Sequence, residues 1–131
     1  MSKKVKRFTK TFLLAAKPID KSGDLPSPQT LAHGFCFYYA YIFYKVLGGD
    51  LYTHMTPDLA GHAFIKYRGK FYDGDNTQGV LDWRDLQPYL KRANESYLSK
   101  QSPSQFKKRW WVNKKMTITF NSVSKIVKEN L

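Results

Sequence analysis

From Phe35 to Leu47 nearly every position is apolar or aromatic, with Lys45 the one charge, and Gly48-Gly49 follows at once. A helix that is apolar on all sides is a buried one, and paired glycines supply the backbone freedom at which helices end. Leu51 to Met55 predicts a strand, closed by the turn-forming Thr56-Pro57-Asp58. The next stretch, GHAFIKYRGKFYDGDN, sets β-branched and aromatic residues on both sides of Arg68-Gly69, the pattern of a β-hairpin. With that turn, Tyr67 pairs with Lys70, Lys66 with Phe71, Ile65 with Tyr72, Phe64 with Asp73 and His62 with Asp75. Directly opposed residues share a sheet face, as do residues two apart on one strand. His62, Phe64, Asp73 and Asp75 are therefore expected to point the same way.

Asp82 to Gln87 predicts a short capped helix that ends at or soon after Pro88. Ser102-Pro103-Ser104-Gln105 has the capping-box pattern with Pro at the first helical position, so a second short helix is expected to about Arg109. From Trp110 to Phe120 apolar and polar residues alternate with period two, which predicts a strand, and SVSKIVKENL predicts a closing helix. Residues 18–30, PIDKSGDLPSPQT, hold three prolines and a glycine and predict a loop. It would separate a basic N-terminal arm, about residues 1–17, from the remainder. The sum is an α+β fold in one domain over residues 1–131. The helix carrying Cys36 is central and packs on a small antiparallel sheet that includes the 62–75 hairpin and the 110–120 strand.

Charge refines this picture. Lys and Arg number 7 against 2 Asp and Glu in residues 1–28, 5 against 6 in residues 29–90, and 10 against 2 in residues 91–131. The net charge of +12 therefore resides in the two flanks. Such flanks suit phosphate backbones or an acidic partner protein, and Lys107, Lys108, Arg109, Trp110 and Trp111 are the candidate contacts. The alternative is a solvated basic surface. The apolar run TFLLAA is too short for a signal peptide and is closed by Lys17, and no stretch is long enough to span a membrane. One cysteine in 131 residues forms no internal disulfide, so a reducing, cytoplasmic location is expected.

That cysteine, Cys36, falls at or beside a helix N-terminus, where unsatisfied N–H groups and the helix dipole stabilise negative charge. A cysteine nucleophile needs a base, and the base needs a third group to fix its tautomer. The hairpin offers His62 with Asp73 and Asp75 on its own face. An oxyanion would be held by the Cys36 backbone N–H and by an upstream side-chain amide, for which Gln29 is the candidate.

This order, a helix-borne cysteine, a histidine opening a strand and an aspartate on the next strand, resembles the papain-like superfamily, above all its compact transglutaminase-like and NlpC/P60-like members. The segment GHAFIKYRGKFYDGDN, followed by Gly79-Val80-Leu81-Asp82-Trp83, is similar to the His-strand and Asp-strand of small bacterial and phage proteins, and the resemblance covers about residues 29–90. It implies Cys36 as nucleophile, His62 as general base and acid, and Asp73 as the orienting residue, in an enzyme that hydrolyses or transfers acyl groups at amide bonds of a protein or peptide substrate. A phage-encoded chain would act in the host cytoplasm.

Other readings use the same residues. Strand register favours Asp75 as the third residue, whereas the motif favours Asp73. Cys36 could be a small core residue, and His62 a structural histidine. His33 is another potential base, and Cys36 with His33, His54 and His62 another potential metal set, but the spacings fit no metal pattern. No cofactor or metal is expected. The alternative function is a non-catalytic papain-like scaffold that binds nucleic acid or an acidic protein through its basic flanks.

Overall fold

The computed structural model describes residues 3–16, 36–56, 61–110 and 124–130. Helix α1 (Lys3–Ala16) and helix α2 (Cys36–Leu47) precede strands β1 (Asp50–Met55), β2 (Gly61–Tyr67), β3 (Lys70–Asp73) and β4 (Asn76–Val80). Three 3₁₀ turns follow at Trp83–Asp85, Pro88–Arg92 and Glu95–Tyr97, then strand β5 (Leu98–Gln101) and helix α3 (Pro103–Trp110). Residues 124–129 form a last helix, α4. The protein is α+β, and its described residues form a five-stranded antiparallel sheet in the order β4-β3-β2-β1-β5. Among the described residues no helix is long and apolar enough to cross a membrane.

The hairpin forms as its sequence dictates. Arg68 and Gly69 have φ of 50° and 82°, the two positive values that a two-residue turn matching strand twist requires. Tyr67 pairs with Lys70, Lys66 with Phe71 and Ile65 with Tyr72. The register departs from expectation beyond that point. The chain reverses at Gly74-Asp75 and Asp73 pairs with Asn76 of β4, so Asp75 sits in a turn and does not oppose His62. An Asp-Gly-Asp-Asn sequence is itself strong turn chemistry, and it ends β3 before the strand reaches His62.

Alternation divides the sheet into two faces. Ala63, Ile65, Tyr67 and Tyr72 form one core with Val5, Phe8 and Phe12 of α1, with α2, and with Phe106 and Val127. Phe64 and Phe71 form a second core with Trp83, Leu86 and Leu90 of the 3₁₀ layer. Helix α2 stops where predicted: Gly48 has φ of 90° and donates its N–H to the Tyr44 carbonyl at 3.0 Å. The capping box is present in both directions, with Ser102 N–H to Gln105 Oε1 and Gln105 N–H to Ser102 Oγ, each at 3.1 Å.

Three expectations change. The basic arm is helix α1 and belongs to the core: Val5, Phe8 and Phe12, spaced three and four apart, are at most 1% exposed, while Lys3, Lys4, Lys6, Arg7 and Lys10 face outward. Spacings of three and four residues make one helical stripe, and that stripe outweighs the charge between its members. Trp110 ends α3 and does not begin a strand; residues 111–120 of the expected strand lie outside the described residues. Strand β5, Leu98–Gln101, paired with β1, is one that the pattern did not predict.

Candidate active site

His62 is the second residue of β2, and alternation places it on the face of Phe64, whose ring lies 5.9 Å from its own. Asp73 ends β3 on the same face. His62 is 0% and Asp73 1% exposed, and His62 Nε2 meets Asp73 Oδ2 at 2.8 Å. The carboxylate only accepts at neutral pH, so Nε2 carries a proton and donates it. In the neutral ring the lone pair is thus left on Nδ1. Nδ1 is buried and completes no hydrogen bond among the described residues.

Asp73 is fixed on every side. Its Oδ1 accepts from the Asp75 N–H at 2.9 Å and from Asn76 Nδ2 at 2.7 Å. Its Oδ2 also accepts from Gln87 Nε2 at 3.2 Å. Gln87, itself 4% exposed, reaches Asp75 Oδ2 at 3.2 Å, and Asn76 Nδ2 also donates to the Leu86 carbonyl at 2.8 Å. The 3₁₀ layer is thereby tied to the aspartate. Asp73 and Asp75 consequently have different roles: Asp73 contacts the histidine and Asp75 braces Asp73 through its backbone.

These contacts set the charge states. Burial pushes the Asp73 carboxyl up, but the His62 hydrogen bond and charge, with Asn76 and Gln87, hold it below the ordinary carboxylate value. Burial pulls the His62 imidazole down, and the Asp73 hydrogen bond and the adjacent Cys36 thiol outweigh it, so its pKa is raised to about 9. Cys36 thus acts on the ring from close by, although no hydrogen bond of good geometry to Nδ1 is completed. Such pairings are commonly loose without substrate.

Cys36 is the first residue of α2 and is 5% exposed. Its backbone N–H belongs to the first helical turn, whose N–H groups have no partner within the helix. The strand start at His62 and the helix start at Cys36 are therefore brought to one place, with Asp73 behind the histidine.

Tyr89 adds a residue that sequence patterns do not reveal. Its ring stands edge-on to His62, at 6.4 Å between centroids and 81° between planes, and it is 53% exposed. It is held between buried Gln87 and fully buried Leu90. Burial, followed by the charges of Cys36 and Asp73, pushes its hydroxyl up to about 12, so it is a protonated donor at neutral pH. Gln87, Asn76 and Tyr89 reach the site through tertiary packing, and only the turn composition of Asp73-Gly74-Asp75-Asn76 signals any of it.

The other candidates are placed elsewhere. His54 lies across from His62 in the β1–β2 ladder, but its Nε2–H donates to the Asn94 carbonyl at 3.1 Å and its ring stacks on Trp83. It supports the 3₁₀ layer. Among the described residues no group of three or more His, Cys, Asp or Glu could hold a metal ion. Lys107 and Lys108 are exposed on α3, away from the Cys36–His62 pair in the chain's order of elements. Gln29, His33 and Trp111 lie outside the described residues, as do the side chains of Arg109 and Trp110.

No protein-family model, curated protein or solved structure matches the chain.

Proposed function

We propose that the protein is a cysteine-dependent hydrolase or acyltransferase of papain-like type that acts on amide bonds. The observation that carries this reading is the buried His62, locked to Asp73 through Nε2 at 2.8 Å while its other nitrogen has no such bond and Cys36 lies against the ring. Three further hydrogen bonds, from the Asp75 N–H, Asn76 Nδ2 and Gln87 Nε2, hold that carboxylate in place behind the histidine.

The chemistry follows from these positions. In the neutral form of the ring, whose share grows as the pH rises toward about 9, His62 Nδ1 takes the Cys36 proton as sulfur attacks the substrate carbonyl, and Asp73 stabilises the resulting imidazolium. The oxyanion is held by the Cys36 N–H at the start of α2, with Gln29 as the proposed second donor. His62 then gives its proton to the departing amine, which leaves an acyl group on Cys36 for transfer to water or to another amine. A small peptide or protein substrate suits this site, and no cofactor takes part.

The deciding experiment is labelling with a mild thiol electrophile. Wild-type protein is expected to react in the folded state, more slowly after His62→Gln, and Cys36→Ala is expected to fold normally without labelling. A Cys36 that reacts only after unfolding would overturn the proposal.

A further inference from the structure

A cavity of about 390 Å³ opens between three helices, at the opposite end of α2 from Cys36, and its lining among the described residues is Lys4 and Arg7 of α1, Val46 and Leu47 of α2, and Lys128 of α4. Three cations thus converge on one concavity that, among the described residues, no carboxylate lines. None of the three makes an ion pair among the described residues, where the salt bridges join other groups.

This convergence is built in. Lys4 and Arg7 flank Val5 and Phe8, both fully buried, and Lys128 follows Val127, also fully buried. Each cation therefore projects from backbone that is anchored in the core. The C-terminus of α2 contributes roughly half a negative charge at its last carbonyls, against three full positive charges. Among the described residues the cavity keeps a net positive potential, which suits an external anion.

The charge continues past the cavity. Lys3, Lys6, Arg7 and Lys10 stand at spacings of three and four on the exposed side of α1, a helix with no acidic residue, and the stripe they form runs about 10 Å at ~1.5 Å per residue. A single small anion would use the cavity and leave this stripe idle. A lipid surface fits poorly, because the apolar face that such a helix would insert is already packed in the core as Val5, Phe8 and Phe12. A regularly spaced chain of phosphates uses both parts: one phosphate in the cavity, its neighbours along the stripe, and a sugar or base against Val46 and Leu47.

We propose that the cavity of Lys4, Arg7 and Lys128, extended by the α1 stripe, is a binding site for the phosphate backbone of a nucleic-acid strand. It is independent of the Cys36 chemistry and distinct from the α3 lysines.

The test is fluorescence-anisotropy titration of the full chain with a labelled twenty-nucleotide oligothymidylate over a salt series, with polyglutamate of equal charge as competitor. Binding is expected to weaken steeply with salt. Lys4→Ala/Arg7→Ala/Lys128→Ala is expected to lower affinity by roughly tenfold or more and to make the log–log salt slope shallower by about 2, at about 0.7 per phosphate contact. The charge-preserving Lys4→Arg/Arg7→Lys/Lys128→Arg should bind as wild type, and Lys107→Ala/Lys108→Ala should lose less than the triple variant. Thermal unfolding of each variant separates lost binding from lost fold. Salt-independent binding, an unaltered slope in the folded triple variant, a larger loss from the α3 variant, or displacement by polyglutamate as effective as by unlabelled oligonucleotide would each overturn the proposal.

Discussion

The two faces of the sheet come from the same alternating strands but are held together differently. On the helical face the contacts are aromatic and shared among many partners: Phe8 lies 5.4 Å from Tyr39 and 5.1 Å from Phe43, and Phe43 lies 5.3 Å from Tyr67. Its main polar contact is also self-contained. The Thr9 hydroxyl donates to the Val5 carbonyl at 2.9 Å and accepts from the Tyr39 hydroxyl at 2.7 Å. On the opposite face a smaller apolar cluster supports a chain of charged and amide groups, His62–Asp73–Gln87–Asp75, whose open position is Nδ1 of His62. The first face spreads its energy over contacts that can substitute for one another, whereas the second concentrates it in groups that cannot.

The comparison should break most visibly where each face is densest. Phe8→Ala on the helical face should cost about 3–5 kcal/mol of stability, read by denaturant unfolding, with thiol reactivity per folded molecule unchanged. His62→Gln on the other face should reduce acyl-transfer or hydrolytic turnover by about 10²–10⁴-fold, a far greater effect on chemistry than on the unfolding midpoint. A variant in which stability and turnover fall together on both faces would erase the distinction.

A smaller effect is expected from Gln87→Ala. It removes a donor shared by Asp73 and Asp75 and should cost about 1–3 kcal/mol. As a positioning residue, Gln87 should also move the pH profile of Cys36 labelling, which a purely structural amide would not.

The pH dependence has a definite sign. His62 binds its proton more tightly in the folded chain, with a pKa of about 9 against 6.5. Its contribution to stability is therefore complete below pH 6.5 and is lost as the pH rises through about 9. Asp73 is shifted the other way, so its contribution is present above its ordinary value of 3.8 and is lost as the pH falls through its folded value. Unfolding midpoints should decline on the alkaline side in wild type, and His62→Gln should remove that decline. The smallest effect is expected for Tyr89→Phe, which keeps the edge-on ring and removes the hydroxyl. A drop in turnover of tenfold or more would give that hydroxyl a place in the reaction.

What could be read from the sequence was whatever neighbours in the chain decide. The all-apolar run into Gly48-Gly49, the Arg68-Gly69 turn and the Ser102–Gln105 cap are local instructions, and each appears as written. The core role of α1 was present in the spacing of Val5, Phe8 and Phe12, but was hidden beneath the lysines between them. Strand β5 has only four residues, Leu-Ser-Lys-Gln, and exists because β1 offers it an edge; nothing local distinguishes it from a loop. The site divides in the same way. Cys36, His62 and Asp73 stood out by residue type and order, whereas Gln87 and Tyr89 reach it only when the 3₁₀ layer folds over the hairpin.

The tight turn at Arg68-Gly69 also bears on the order of assembly. His62 and Asp73 are 11 residues apart, so closing that hairpin costs little loop entropy and needs no docking of distant elements. Cys36 joins them only when α2 packs against β2 across a longer span of chain. A nascent or partly opened molecule would therefore hold His62 and Asp73 together before Cys36 reaches them, and any effect of that pair on the thiol would begin only once α2 has docked.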